Sequence, residues 1–272
     1  MLPEAFLSRL KIQLGDEYDD YLRSLDRPRA VALRFNPLKT DTFPQLPFVQ
    51  EQVPWAKYGH YYTPDARPGL HVWHEAGLYY LQEASAMAPV TLLEPQPGET
   101  VLDLCAAPGG KSFTMAELMQ NTGSITALDI HEHRVKLIEQ GAKRLGIGII
   151  TPAQADATNL PDKSGNFDAI LCDVPCSGLG VIRRKPEIKY KPAEEFATLP
   201  QLQFDILTNA AKHLKSGGRL LYSTCTLRIA ENEAVVHSFT EQNPEFSIKY
   251  EHTFMPHIDG TDGFYCALIT KA

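Results

Sequence analysis

"VLDLCAAPGGKS" spans residues 101–112. An apolar run leads into a glycine pair, and Lys111 opens a helix-length segment at 111–120. The last three residues match the end of a phosphate-binding loop, G-x-x-x-x-G-K-[ST]. The first glycine of that pattern belongs at position 105, where the chain has Cys105. Pro108 also removes one of the amides that would line a phosphate cradle. What the loop holds instead is decided by the segments around it.

From Thr100 onward short apolar runs alternate with helix-length segments. The runs are "TVLDLC", "SITALDI", "GIITPAQ", "FDAILCDV", "RLLYSTC" and "FYCALIT", and the helical segments are 111–120, 131–145 and one within 200–215. Near-continuous apolar strands separated by helices imply a mostly parallel sheet covered on both faces. The fold class expected is therefore doubly wound α/β. "FSIKY" and "FYCALIT" supply two last strands, expected as an antiparallel edge. Residues 1–98 read differently, as a smaller mixed lobe before a catalytic domain at 99–272. The lobe has helical patterns at Pro3–Leu14 and Asp16–Leu25, a strand at 31–37 and a helix over Glu83–Leu93. The proline- and aromatic-rich stretch between them predicts irregular, packed structure.

The 272 residues are 43% hydrophobic and 22% charged, as in ordinary water-soluble globular proteins. No apolar run reaches membrane-span length, and the N-terminus lacks a signal layout. Five cysteines without metal-type spacing predict a reducing compartment, the cytoplasm, and no metal. A net charge of −7 neither indicates nor excludes nucleic acid, because a local basic patch suffices.

In doubly wound sheets ligands sit beyond the carboxyl ends of the strands. The loop Cys105-Ala106-Ala107-Pro108-Gly109-Gly110-Lys111 follows the first strand and so lies there. Asp129 ends the second strand, twenty positions after Gly109, the spacing of an acid that bonds a ribose hydroxyl pair. Asp156 ends the third, where an acid can meet an adenine amino group. An adenosine-bearing ligand fits best, and a nicotinamide cofactor is second because the full G-x-G-x-x-G is missing. The plainer alternative is that Asp129 and Asp156 cap the helices that follow.

Cys172 and Cys266 lie inside strands and read as packing residues, as does Cys105. Cys176 and Cys225 stand just past strand ends, in "CDVPCSG" (172–178) and "YSTCTL" (222–227), on the side of the glycine loop. Loop residues at such positions carry chemistry more often than packing.

"DLCAAPGGK", "DVPCSG" and "STCT", in that order, resemble the Sun-type RNA cytosine-5 methyltransferases. "RFNPLK" (34–39), "GLYYLQEASAM" (77–87) and "DGFYCALI" (262–269) extend the resemblance over nearly the whole chain. DNA cytosine-5 methyltransferases share only the Pro-Cys element, and amino-methyltransferases carry a different strand-four motif. The resemblance implies a Rossmann-like methyltransferase sheet and S-adenosylmethionine as cofactor. It implies that Cys225 attacks carbon 6 of cytosine and that Cys176 assists elimination. Asp173 would serve the cytosine edge or the cofactor, and Lys111 or the sulfonium charge would help ionise Cys225. The Cys105–Lys111 loop would hold the methionyl end, Asp129 the ribose and Asp156 the adenine. Arg134 matches an arginine near the cofactor, against a plainer reading as a solvated helix residue.

"GVIRRKPEIKYK" (180–191) gathers Arg183, Arg184, Lys185, Lys189 and Lys191 beside the cysteine motif and is expected to contact phosphate rather than form only a solvated loop. Arg34 and Asn36 are expected to add RNA contacts from the lobe. Tyr79 and Tyr80 are candidates for base stacking, with core packing as the alternative. No stretch resembles the additional helical RNA-binding domain of larger family members. Ribosomal RNA is the expected substrate, because "CDVPCSGLGVIRRKPEIKY" resembles the bacterial ribosomal members, and transfer RNA is second. A monomer is expected. The competing class is a cofactor-binding ribosome-assembly factor with little catalysis, which would not need both cysteines.

Overall fold

The computed structural model describes residues 4–161 and 166–272, so Pro3 of the expected first helix lies outside it. The N-terminal part runs α1 (Glu4–Leu14), α2 (Tyr18–Leu25), β1 (Ala32–Phe35), β2 (Val49–Gln52), β3 (Gly59–Tyr62), α3 (Val72–Glu75), β4 (Tyr79–Leu81) and α4 (Ala88–Leu93). The remainder runs β5 (Thr100–Asp103), α5 (Gly110–Leu118), β6 (Ser124–Asp129), α6 (Glu132–Leu145), β7 (Ile150–Gln154), β8 (Phe167–Asp173), α7 (Leu199–Lys212), β9 (Leu214–Thr224), α8 (Glu233–Gln242), β10 (Phe246–Phe254), α9 (Pro256–Asp259) and β11 (Phe264–Lys271).

Seven strands form one sheet in the order β10-β11-β9-β8-β5-β6-β7. Pairing is parallel from β9 through β7 and antiparallel where β11 joins β9 and β10. Side chains alternate across it as strand pleating requires. Leu102, Ile170, Cys172, Leu220 and Tyr222 pack against α7 and α8 on one face. Val101, Ala169, Leu171 and Leu221 pack with α4, α5 and α6 on the other. α6 buries Val135, Ile138, Ala142 and Leu145, a helical stripe facing the sheet. Pro152 is tolerated in β7 because that strand is the sheet edge. The chain leaves β5 toward β6 and β7, then returns to β8 on the other side of β5. The switch point therefore lies between the carboxyl ends of β5 and β8, which carry the glycine loop and the Cys176 loop.

The lobe departs from expectation. Its proline-rich stretch supplies β2, β3 and β4, which join β1, inside the strand expected at 31–37, in an antiparallel sheet, β2-β3-β1-β4, instead of irregular structure. Its strands are only three or four residues long, too short for a clear alternating pattern. The helix expected over Glu83–Leu93 begins as a 3-10 turn at Ser85–Met87 and becomes α-helix at Ala88. Glu83 stays outside it, its carboxylate accepting from the Ser85 and Ala86 amides. α8 was not anticipated from sequence.

Candidate active site

β5 delivers the loop 105–109 straight into the first turn of α5. Gly109 has φ +104°, and a Cβ there would come within 2.3 Å of the Phe113 ring, so glycine alone fits. Behind the loop Asp103 is fully buried; its Oδ2 accepts from Ser112 Oγ at 2.6 Å and its Oδ1 has no partner. Burial, helped by the nearby Asp173 charge and opposed by the Ser112 bond, pushes the Asp103 carboxyl up to about 7.

A crevice of about 370 Å³ opens over this loop. Cys105, Ala106, Ala107, Pro108, Gly110 and Lys111 line its floor. Asp173, Cys225, Arg134, Arg184 and Lys185 line its walls, with Tyr80 and Glu83 from the lobe. Lys111 Nζ donates to Asp173 Oδ2 at 2.7 Å, and Ser223 Oγ donates to Asp173 Oδ1 at 2.8 Å. One carboxylate thus ties together the ends of β8 and β9 and the first turn of α5. Burial opposes charging Lys111, but the Asp173 carboxylate outweighs it and holds the amine above its ordinary value.

Cys176 and Cys225 meet with 3.3 Å between their sulfurs. Cys225 lines the crevice. The turn after Cys176 packs so closely on the Cys225 loop that a Cβ on Gly180 would lie 2.9 Å from the Cys225 carbonyl and 2.1 Å from that of Gly263. The Cys225 thiol is pulled below its ordinary value, chiefly by the hydrogen bond from Cys176. Burial and the Asp173 charge oppose this, while Lys111 and Arg184 assist it. The Cys176 thiol is pushed well up by its bond to Cys225 and by burial. Cys172 and Cys266 are buried in the core, and burial pushes the Cys105 thiol up as well.

The remaining residues singled out from sequence divide. Asp129 is buried at the end of β6, accepting from the His131 amide at 3.0 Å and lying 3.2 Å from Arg134 Nη1. Arg134 Nη2 also donates to the Ala107 carbonyl at 2.8 Å, so this arginine braces the loop instead of standing free in solvent. Asp156 is exposed and accepts from the Thr158 amide and hydroxyl at 2.9 and 2.7 Å, the turn-capping arrangement. Tyr79 is core, its hydroxyl donating to the Pro68 carbonyl, whereas Tyr80 reaches the crevice.

Arg34 and Asn36 are corrected: neither faces solvent. Arg34 is 2% exposed, with Nε 2.7 Å from Glu117 Oε2, Nη2 3.1 Å from Oε1, and Nη1 on Gln82. Asn36 is fully buried and donates to the Gly77 and Leu145 carbonyls at 2.9 and 2.8 Å. Both fasten the lobe to α5 and α6. Arg183 is likewise turned inward, its side chain 8% exposed, donating to the Ser24 and Thr261 carbonyls. Arg184 pairs with Asp262 at 3.0 Å yet stays 38% exposed, and Lys185, Lys189 and Lys191 are exposed or half-buried.

Sequence reasoning passed over Gln203, Glu231 and Asn232. Glu231 and Asn232 are buried and bonded to the two cysteine loops. The stretch "TLRIAENE" carries no motif that singles them out.

The geometry defines a class: a doubly wound α/β protein with a cofactor-type crevice at the switch point and a thiol on its wall, Cys225, paired with a second behind it. Residues 90–270 match the family described as 16S rRNA methyltransferase RsmB/F, and residues 2–84 match the N-terminal domain of 16S rRNA methyltransferase RsmF. This chain belongs to the RsmB/F family. A probable ribosomal RNA small subunit methyltransferase B of Bacillus subtilis is 43% identical over 75% of this chain and 50% of its own length. Ribosomal RNA small subunit methyltransferase F of Escherichia coli is 34% identical over 89% of this chain and 54% of its own. The crystal structure of PH0851 superposes with a TM-score of 0.92 at 32% identity, covering 99% of this chain and 66% of that one. The chain thus spans about half the length of these curated relatives. Among the described residues no helix is long and apolar enough to cross a membrane.

Proposed function

We propose that this protein methylates carbon 5 of a cytosine in RNA, with S-adenosylmethionine as methyl donor and ribosomal RNA as the favoured substrate, ahead of transfer RNA. The observation that carries this reading is the pair of thiols 3.3 Å apart at the strand ends, with Cys225 lining the crevice beside Lys111 and Asp173. Family membership supports it, since the relatives are named as ribosomal RNA methyltransferases.

The crevice suits the cofactor. The loop residues on the crevice floor and the unpartnered Asp103 Oδ1 would offer backbone contact and an acid to a cationic molecule, with Asp129 buried behind Arg134 at the end of β6. The loop Cys105–Lys111 would hold its methionyl end and Asp129 its ribose, with Arg134 bracing both. Asp156 lies outside the crevice lining with its Oδ1 taken by Thr158, so an adenine contact would fall to its other oxygen. When bound, the cofactor supplies an electrophilic methyl group.

Carbon 5 of cytosine is a weak nucleophile until the ring is activated. A free thiol of pKa about 8.5 is only a few per cent ionised at neutral pH, so an attacking cysteine needs help. Cys225 receives it from the Cys176 hydrogen bond and from the Lys111 and Arg184 charges. Its thiolate adds to carbon 6, which makes carbon 5 enamine-like. Asp173, oriented by Lys111 and Ser223, faces the same space and favours protonation at ring nitrogen 3. After methylation the carbon 5 proton passes to water, the carbon 5–carbon 6 double bond re-forms and the carbon 6–sulfur bond breaks to return the Cys225 thiolate, and Cys176 assists that elimination as hydrogen-bond donor to the departing sulfur. Arg184 and Lys185 at the crevice mouth would meet phosphate, and the lobe of residues 1–98 would present Tyr80 to the substrate.

The test is transfer of labelled methyl to ribosomal RNA, to assembled small subunits and to transfer RNA, followed by mapping of the modified base. Label in 5-methylcytosine of ribosomal RNA is expected. Cofactor binding without methyl transfer to any RNA would favour an assembly factor instead.

A further inference from the structure

The chain just past Cys225 folds back beneath both thiols. The buried Glu231 carboxylate accepts from the Ser177 amide at 2.8 Å, from Gln203 Nε2 at 3.0 Å and from Arg228 Nη1 at 2.7 Å. Gln203 Nε2 also donates to the Pro175 carbonyl at 2.9 Å. The backbone on both sides of Cys176 is therefore gripped by one carboxylate and one amide. Asn232, the next residue, grips the other loop: its Oδ1 accepts from Thr224 Oγ1 at 2.6 Å and its Nδ2 donates to the Thr226 carbonyl at 3.0 Å. A 2.7 Å hydroxyl pair, Ser177 and Thr226, joins the two loops.

The surroundings of the two sulfurs are unlike. Cys225 faces the crevice with Lys111, Arg184 and Asp173 around it. Cys176 has Glu231 on its inner side, with Tyr222 donating its hydroxyl to the Glu231 carbonyl. Glu231, paired outward with Arg228, lies on the Cys176 side, while Lys111 and Arg184 outnumber Asp173 on the Cys225 side, and this difference breaks the symmetry of two identical groups sharing a proton.

We propose that Glu231 is a positioning residue that keeps the shared proton on Cys176 and so leaves Cys225 as the ionised thiol. This rests on the reading of Cys225 as attacking nucleophile, but the device belongs to the free protein and is measurable without RNA or cofactor. Glu231 acts in two ways. Its grip on Ser177 holds Cys176 at donor distance, and its charge disfavours a second anion there. The high-lying Cys176 thiol agrees, with Glu231 among its causes after the Cys225 bond, burial and the Cys225 charge.

The test is the partition of a thiol-alkylating reagent between the two cysteines, read by mass spectrometry of peptides across neutral pH. In the unaltered protein Cys225 should take most of the label. In Glu231→Gln, which keeps the shape and removes the charge, the Cys225-to-Cys176 ratio should fall about tenfold, the equivalent of one unit of relative acidity. In Glu231→Asp, which keeps the charge and shortens the grip, the ratio should stay in favour of Cys225 although the melting temperature falls. An unchanged ratio in a folded Glu231→Gln, or a loss of preference in Glu231→Asp, overturns the proposal. If Glu231→Gln does not fold, the Glu231→Asp ratio alone decides. Failure of the unaltered protein to methylate RNA would instead remove the catalytic reading and leave the partition result standing.

Discussion

Glu117→Ala removes the only carboxylate among the described residues that is bonded to the buried Arg34 guanidinium. The pair is two-pronged, at 2.7 and 3.1 Å, with both side chains at most 2% exposed. Breaking such a pair leaves a charge without a partner in the interior and costs about 3–5 kcal/mol. In a chain of this size each kcal/mol lowers the melting temperature by about 2 °C, so Glu117→Ala should melt roughly 6–10 °C lower. Arg34→Met should cost a similar amount. The double change Arg34→Met with Glu117→Leu should recover most of the loss, because an apolar pair of similar volume is often neutral. Thermal unfolding by circular dichroism reads the stabilities, and RNA retardation at several salt concentrations reads the alternative role. If Arg34→Met melts like the unaltered protein while its RNA affinity falls and its log–log salt slope drops by about 0.7–0.9, then Arg34 contacts phosphate and the buried-pair account is wrong.

Three other perturbations follow from the site. Asp103 titrates near 7 when folded, against about 3.9 in an unfolded chain, so its contribution is complete below pH ~4 and is lost as pH rises through 7; Asp103→Asn should flatten that loss in denaturant titrations, and an unchanged pH profile would refute the assignment. Lys111→Met should move the onset of Cys225 alkylation to higher pH and Asp173→Asn to lower pH, since the two charges act on Cys225 in opposite senses; shifts in the same direction would show that neither charge is felt. Arg184→Gln should weaken RNA binding and reduce the salt slope by about 0.7–0.9, whereas Arg183→Gln, which removes carbonyl contacts, should chiefly lower the melting temperature; equal slopes for Arg184→Gln and the unaltered protein would assign the basic stretch to solvent.

The sheet was legible because β5, β6, β8 and β9 are buried on both faces and read as continuous apolar runs. The glycine loop and the two strand-end cysteines were legible for a related reason: topology alone places residues at the carboxyl ends of β5, β8 and β9 around one crevice. Arg34 was misread because a charged residue in a short strand looks surface-bound until its partner is known, and Glu117 lies 83 positions away. Arg183 was misread similarly, the basic residues that directly follow it being exposed while its own side chain turns toward the Thr261 carbonyl. The lobe sheet escaped notice because its register is set by pairing between β1, β3 and β4, distant in sequence, instead of by alternation within a strand. Glu231 and Asn232 gave no sign of their place because polar loop residues usually face solvent, and the Glu231 partners Ser177 and Gln203 lie 54 and 28 positions away.

The central claim is that Cys225 makes the bond to the base and Cys176 acts after it, and trapped covalent complexes test this most directly. Single Ala replacements at the two cysteines are incubated with ribosomal RNA and methyl donor, and RNA-bound protein is resolved on denaturing gels. Cys176→Ala should accumulate a shifted band joined to methylated RNA, because addition remains possible while release is slowed. Cys225→Ala should give neither band nor turnover. A band in Cys225→Ala and none in Cys176→Ala would exchange the two roles, and turnover without a band in both variants would contradict thiol chemistry at this site altogether.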